Sequence, residues 1–373
     1  MTEKYTALYE EHKQLGAAFT DFGGWQMPLK YSSELAEHRA VRSTAGLFDL
    51  SHMGEVKVAG PDAGAFLDYA LAGRLSAVKT GRAKYSLITT DDGGIIDDLI
   101  SYRLAEDSFL VVPNAGNADT VAAELAARAQ GFDVTVDNVS AQTSLIAVQG
   151  PEAEAILLAL VPADHQDEVT GMKYYAAATV PMAFGAWTAG LLVARTGYTG
   201  EDGFEIYVSN EAAPVLWAAL LSAGESRGLV PAGLACRDSL RLEAGMPLYG
   251  NELSLDTDPY AAGLGPVVAL SEEADFVGRA ALEARKASGP ARRLVGLKGS
   301  GRRSARSHYP VLSGESVIGE VTSGAPSPTL GYPIALAYLD AEFTEPGTTV
   351  SVDLRGKPES FEVVGLPFYK RGK

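Results

Sequence analysis

The 373-residue sequence carries a single cysteine, Cys236, and five histidines, His12, His38, His52, His165 and His308. One thiol excludes a disulfide within the chain and a thiolate metal cluster. No two histidines lie four apart, which argues against a helical two-His zinc site. Apolar runs are short, and none approaches the roughly 18 residues of a bilayer-spanning helix. Basic charge is scarce as well: 31 Lys and Arg face 47 Asp and Glu, a net charge of −16. Such a field repels nucleic acid and anionic membranes. Neither a G-x-x-x-x-G-K-[ST] loop nor a G-x-S-x-G elbow is present, so P-loop hydrolysis and α/β-hydrolase chemistry lose support. The N-terminal Met-Thr-Glu-Lys-Tyr lacks a charged-then-apolar signal pattern. A cytoplasmic protein without nucleic-acid, membrane or metal partners is the expectation.

What is present is ordinary globular composition, 46% hydrophobic and 21% charged, at a length suggesting two or three domains. Forty glycines and 19 prolines punctuate it into short elements. Helices are predicted from Ala65 to Leu71, Ala118 to Gln130, Glu211 to about Ser222, and Leu234 to Glu243. Between them lie strand-like runs: Glu55 to Val58, Tyr85 to Thr90, Ile95 to Leu104, Phe109 to Val112, Ser144 to Val148, Leu191 to Ala194 and Phe204 to Val208. Tight turns between strands point to antiparallel sheets with helices on one side, an α+β class. From Arg292 onward almost only strands are predicted, so this part reads as a small barrel or sandwich. Charge changes there too. Residues 291–310 hold six basic side chains and no acidic one, whereas residues 251–275 hold six acidic ones, Glu272 and Glu273 among them, and no basic one. A boundary near residue 275 follows.

Three stretches carry possible chemistry. In Asp91-Asp92-Gly93-Gly94-Ile95-Ile96-Asp97-Asp98-Leu99, a glycine turn leads into an apolar strand interrupted by two carboxylates. The period of two puts Asp98 with Ile96, Ile100 and Tyr102, and Asp97 with Ile95, Leu99 and Ser101. A buried carboxylate is costly unless paired or used, yet a strand-end Asp accepting backbone bonds explains the spacing equally well. In Arg195-Thr196-Gly197-Tyr198-Thr199-Gly200-Glu201-Asp202-Gly203-Phe204-Glu205-Ile206-Tyr207, the pattern turns Phe204, Ile206 and Val208 inward and leaves Glu205 and Tyr207 opposite. An ordinary hairpin with an acidic tip is one reading. The other is Glu205 accepting two parallel N–H bonds, as an amino-pyrimidinone edge offers. In the third stretch, Gly233 to Gly245, Arg237 and Arg241 share a helix face, either as surface ion-pair partners or as cations aimed at a carboxylated ligand.

Together these stretches resemble the aminomethyltransferase (T protein) family of the glycine cleavage system. The resemblance runs in order through Phe22-Gly23-Gly24-Trp25-Gln26-Met27-Pro28, Phe48-Asp49-Leu50-Ser51-His52-Met53-Gly54, the Asp97-Asp98 strand, Gln149-Gly150-Pro151, Gly197 to Glu205, and Gly233 to Gly245. Leu248-Tyr249-Gly250 and Thr322-Ser323-Gly324-Ala325-Pro326-Ser327-Pro328 complete it. The resemblance implies a three-domain α+β fold around a central folate channel. Its first domain would be discontinuous, residues 1–50 and 138–270, its second an insertion at 51–137, and its third a C-terminal β-barrel at 271–373.

It also implies a reaction: the one-carbon unit of an aminomethyl group on the lipoylated H protein passes to tetrahydrofolate, giving 5,10-methylenetetrahydrofolate, ammonia and the dihydrolipoyl H protein. Asp98 matches the essential carboxylate and Glu205 the residue that holds the pterin edge. Tyr85, Tyr102, Asn114 and Tyr198 match channel-lining positions, Arg237 a folate-contacting arginine, and Met53 a channel-wall position. Arg241 would only support Arg237, and His52 is expected to be structural. Many members carry Ser-Trp where this chain has Gly265-Pro266, so an aromatic wall is missing or supplied from elsewhere. The tail Pro367-Phe368-Tyr369-Lys370-Arg371 resembles a segment near the folate.

Two alternatives share much of this pattern. One is a folate-dependent demethylase of the same superfamily acting on sarcosine, dimethylglycine or a sulfonium compound. The other is a non-catalytic folate-binding protein of the kind associated with iron–sulfur assembly. Those relatives carry a cysteine in K-G-C-Y-x-G-Q-E, where this chain reads Thr196-Gly197-Tyr198-Thr199-Gly200-Glu201.

Overall fold

The computed structural model describes residues 3–271 and 275–372; Glu272 and Glu273 of the acidic stretch lie outside the described residues. The chain forms two compact units, each assembled from three segments. The first comprises Met1–Leu67, Leu75–Tyr85 and Leu99–Arg237, the second Asp68–Arg74, Ser86–Asp98 and Asp238–Lys373.

The first unit is built on a six-stranded sheet in the order Ala177–Phe184, Trp187–Ala194, Gly203–Ser209, Thr143–Gln149, Ala45–Asp49 and Leu229–Pro231. Its pairs are antiparallel except the last, where Leu229–Pro231 runs parallel to Ala45–Asp49. Alternation does what the sequence predicts: Phe204, Ile206 and Val208 are buried on one face with Leu47, Ile146, Val148 and Val193. Against them lies the helix Ala213–Gly224, with Pro214 in its first turn and Leu216, Trp217 and Leu220 buried. Burying such a side chain contributes about 1.5–3 kcal/mol, so this layer is the main support of the strand that bears Glu205.

A second sheet takes the order Arg82–Thr89, Ile95–Ala105, Ser108–Val112, Val56–Ala59 and Thr135–Asn138. The helix Ala118–Arg128 lies between its third and fifth strands in the chain, close to its predicted span. The helix Leu234–Glu243 has the predicted ends.

The second unit contains the strand-rich C-terminal segment, which closes into a six-stranded barrel. Its order is Arg292–Gly299, Pro333–Asp340, Ser316–Pro326, Pro310–Ser313, Thr349–Asp353 and Pro358–Val364. Closure removes the exposed edges that a sandwich would keep. Leu297, Val311, Val321, Ala337, Leu339, Val352 and Phe361 fill it. A register shift between Val321 and Ser323 bends the long strand. The strand Pro310–Ser313 and the helix Arg279–Ser288 were absent from the predicted elements. The first is short and carries a proline, and the second has a weak start at Gly278.

Candidate active site

In the second unit the two adjacent acids differ as strand alternation requires. Asp97 is wholly buried, and Asp98 is half-buried. Tyr249 stands beside the pair: its hydroxyl donates to the Ile95 carbonyl at 2.9 Å. Burial first, then the charges of Asp97 and Asp98, push its phenol up to about 12. The strand is entered through Gly93, in a left-handed conformation at φ +82°, and Gly94, where a Cβ would come 2.0 Å from the Leu255 carbonyl oxygen. No other residue fits at Gly94 without moving backbone, which explains the glycine pair.

The first unit holds Met53, Tyr85, Tyr102, Asn114, Tyr198, Glu205 and Arg237. Glu205 is half-buried in the strand Gly203–Ser209. Two buried hydroxyls converge on one of its oxygens: Thr196 Oγ1 donates to Oε2 at 2.5 Å and Tyr102 OH at 3.2 Å. The hydroxyls are themselves 3.0 Å apart. Hydrogen bonds to a charged group are worth about 1.5–3 kcal/mol each, enough to orient the carboxylate. Burial, and next the Glu205 charge, hold the Tyr102 phenol well above its ordinary value, so it remains a donor.

The loop from residue 196 to 203 is clamped by Gln149. Its Nε2 donates to the Thr196 carbonyl at 3.0 Å, and its Oε1 accepts from Thr199 Oγ1 at 3.0 Å. A Cβ on Gly197 or Gly203 would approach the Gln149 amide to 2.0 or 2.4 Å. The acids of this loop do not form a solvated tip. Arg42 bonds Glu201 at 3.0 Å, and Arg195 grips both oxygens of Asp202, at 2.9 and 2.5 Å. The loop therefore presents Tyr198, over whose ring the Arg237 guanidinium lies 4.7 Å from the centroid.

Arg237 is positioned from below. Buried Glu37 accepts from the backbone N–H groups of Tyr31, Ser32 and Gly233, at 2.8, 2.9 and 3.0 Å. It thereby fixes the start of the helix that carries the arginine. His52 is buried edge-on to Phe22 at 5.4 Å. Burial, then the Arg237 charge, push its imidazole down to about 4, so it is neutral at physiological pH. The segments that carry Met53 and Asn114 are joined by the Gly54 N–H, which donates to the Pro113 carbonyl at 3.1 Å. Tyr85 is half-buried in the strand Arg82–Thr89.

Some expectations change. Arg241 is not a surface cation: it is 1% exposed and bonds Glu252 at 2.9 Å, Asp238 at 2.8 Å and Ser323 Oγ at 2.7 Å. A ring does stand beside the Gly265-Pro266 turn, since a Cβ on Gly265 would come 3.0 Å from Tyr260. The tail resembling a folate-side segment packs Leu366 and Phe368 over Gly296, and the Tyr369 N–H donates to the Glu243 carbonyl at 2.8 Å. Cys236 is buried, and burial pushes its thiol up. Sequence reading did not single out Gln149, Thr196 and Tyr249, whose side chains bond the Glu205 loop, Glu205 itself and the Asp97-Asp98 strand. Each sat inside a recognised motif, but nothing local marks a glutamine as a clamp.

Comparison with known proteins identifies the family. Residues 8–272 match the family model described as the GCVT N-terminal domain, and residues 292–370 the glycine cleavage T-protein C-terminal barrel domain. Proteins named aminomethyltransferase from Cutibacterium acnes and Streptomyces coelicolor are 55% and 58% identical, over 99% of this chain and 99% and 98% of theirs. The crystal structure of glycine cleavage system aminomethyltransferase T from Bartonella henselae superposes with a TM-score of 0.91 at 40% identity, covering 99% of both chains. With its two matched regions, its clamped Glu205 and its closed barrel, the chain belongs to the glycine cleavage T-protein family of aminomethyltransferases.

Proposed function

We propose that this aminomethyltransferase takes its one-carbon unit from an aminomethyl group on a lipoylated H protein and delivers it to tetrahydrofolate. The observation that carries the folate assignment is Glu205, held as an oriented acceptor by Thr196 and Tyr102. A half-buried carboxylate so fixed suits the paired N–H donors of a pterin edge. The folate would supply the amine nitrogens that take up the carbon as ammonia and the lipoyl thiol leave. Two N–H protons are given up in that exchange, and two are gained, one by ammonia and one by the thiol. Asp98, half-buried beside Tyr249, is the group we assign to that proton traffic. Asp97, wholly buried, shapes the strand.

Arg237 over Tyr198 gives a cation on an aromatic platform, suited to the carboxylated end of a folate. Met53, Tyr85 and Asn114 are assigned to its apolar and polar walls. The proposal includes the three-domain division at 1–50 with 138–270, 51–137, and 271–373, and a cytoplasmic location. The demethylase and the non-catalytic binder are not favoured, because relatives above 50% identity over nearly the whole chain are named aminomethyltransferases.

The test is a reconstituted assay. Aminomethyl-loaded H protein and tetrahydrofolate are mixed with this protein, and methylenetetrahydrofolate and ammonia are followed together. Equal formation of both, lost in Asp98→Asn, supports the proposal. Folate binding without either product would assign the protein to another donor.

A further inference from the structure

Glu55 is a carboxylic acid with no exposed surface, and neither of its oxygens has a hydrogen-bond partner among the described residues. Buried polar atoms are paired in the great majority of cases, and an exception calls for a physical reason. A second exception lies close by. The Tyr207 hydroxyl is buried with no hydrogen bond of ordinary geometry among the described residues, and burial first, then the neighbouring Tyr102 and Glu205, with Glu55 the smallest contributor, hold its phenol well above its ordinary value. Tyr207 is two residues from Glu205 on the same strand, so the two share a face. Its ring meets that of Tyr102 edge-on at 6.0 Å, and the Tyr102 hydroxyl bonds Glu205. The sheet register agrees. Lys57 and Tyr102 both pair with Leu110 and so share a face, and Glu55, one residue before that strand, has the parity of Lys57.

We propose that Glu55 is a positioning residue: it donates, directly or through one water, to Tyr207, and this line of hydroxyls runs through Tyr102 to Glu205 and fixes that carboxylate as the acceptor. The proposal rests on the assignment of Glu205 to the pterin. The direction of donation requires a proton on Glu55, and burial pushes its carboxyl up to about 9, so the acid is neutral at physiological pH. Burial is the only cause acting on Glu55 itself. The titratable groups that meet the line are Tyr207 and Glu205 from one strand, Tyr102 from another, and Tyr175, whose charge also bears on Tyr102. Loss of the Glu55 proton would reverse the donor order and place a second negative charge on the line.

Two measurements test this. The first is infrared titration of the folate-free protein between about pH 6 and 10, against the ordinary carboxylate range near 4. A protonated-carboxyl band persisting at neutral pH and absent from Glu55→Gln is expected, and no difference between the two proteins would overturn the proposal. The second is tetrahydrofolate affinity against pH, with Glu205→Gln in parallel. Glu55→Leu should bind about tenfold more weakly at pH 7, whereas Glu55→Gln, which keeps an N–H donor, should stay within about threefold. The parent should lose affinity above about pH 9 while Glu55→Gln does not. Superimposed pH curves for parent and Glu55→Gln, with Glu205→Gln impaired, would overturn the role of Glu55 alone. Unimpaired binding by Glu205→Gln would overturn the assignment of Glu205 itself. Should Glu55→Leu fail to fold, the Glu55→Gln curve and the infrared band decide the matter.

Discussion

Asp97 and Asp98 are chemically identical neighbours separated by one strand step, and they differ in burial, which is why different work is proposed for them. Asp98→Asn should keep the fold and folate binding yet lower turnover at least about 100-fold, the scale of a lost proton-transfer group. Asp97→Asn should be milder in turnover and show more in the melting temperature. Equal turnover of both variants and the parent would refute the division. A different carboxylate, Asp49, is expected to contribute to acid sensitivity. Burial alone would raise the Asp49 carboxyl, but His12 Nε2 at 2.9 Å, the Ser51 N–H at 2.9 Å and Thr6 Oγ1 at 2.7 Å hold it below its ordinary value. A lowered folded value means that this stabilisation is complete above the unfolded carboxylate range and is lost as pH falls toward the folded one. Asp49→Ala should cost about 3 kcal/mol at neutral pH and flatten the stability curve below about pH 4, as denaturant titrations at several pH values would show.

At the scale of elements, the strand Gly203–Ser209 and its preceding loop are held by what side chains leave out. Gly203 gives up a Cβ so that Gln149 can lie 2.4 Å from where that atom would be. Gly203→Ala should therefore destabilise the protein by about 1–3 kcal/mol, the cost of overpacking a filled site. Combined with Gln149→Ala, the two changes should be less costly than their sum. Strict additivity in that double-mutant cycle would contradict the clamp. Much of this was legible in advance. The alternation of Phe204, Ile206 and Val208 read correctly, since an apolar period of two reports directly which face is buried. Tyr207 lies on the opposite face as read, but that side of the sheet is covered as well, and a strand does not encode what covers its second face. The acidic pair Glu201-Asp202 misled for a similar reason: their partners Arg42 and Arg195 turn them inward.

For the molecule as a whole, charge is the property that bears on partners. Against a net charge of −16, the basic run of residues 291–310 remains a local exception. Within it Arg303 pairs with Glu359, Arg292 bonds Asp340 at 2.8 Å, and Arg302 and Arg306 are exposed. Docking of an acidic, lipoyl-bearing partner there predicts that neutralising Arg302, Arg303 and Arg306 together raises the KM for the H protein several-fold at low salt. The effect should fade as the Debye length falls to about 8 Å near physiological ionic strength. An unchanged KM across salt concentrations would remove this surface from consideration.

The sequence by itself determined the α+β class, the strand-rich C-terminal segment, the span of the helix Leu234–Glu243 and the motifs that carry Asp98, Glu205 and Arg237. These follow from local periodicity, turn chemistry and residue type, which act over a few residues. Only the tertiary structure decided that the C-terminal strands close into a barrel, that Arg241 serves an internal ion pair, that Gln149 clamps the Glu205 loop, and that Glu55 is buried with neither oxygen paired among the described residues. Most of those depend on residues far apart in the chain, as with Gln149 and Thr199, 50 positions away. The free energy of such a contact is set by the order of the strands and by the water excluded between them, and no short window of sequence contains either.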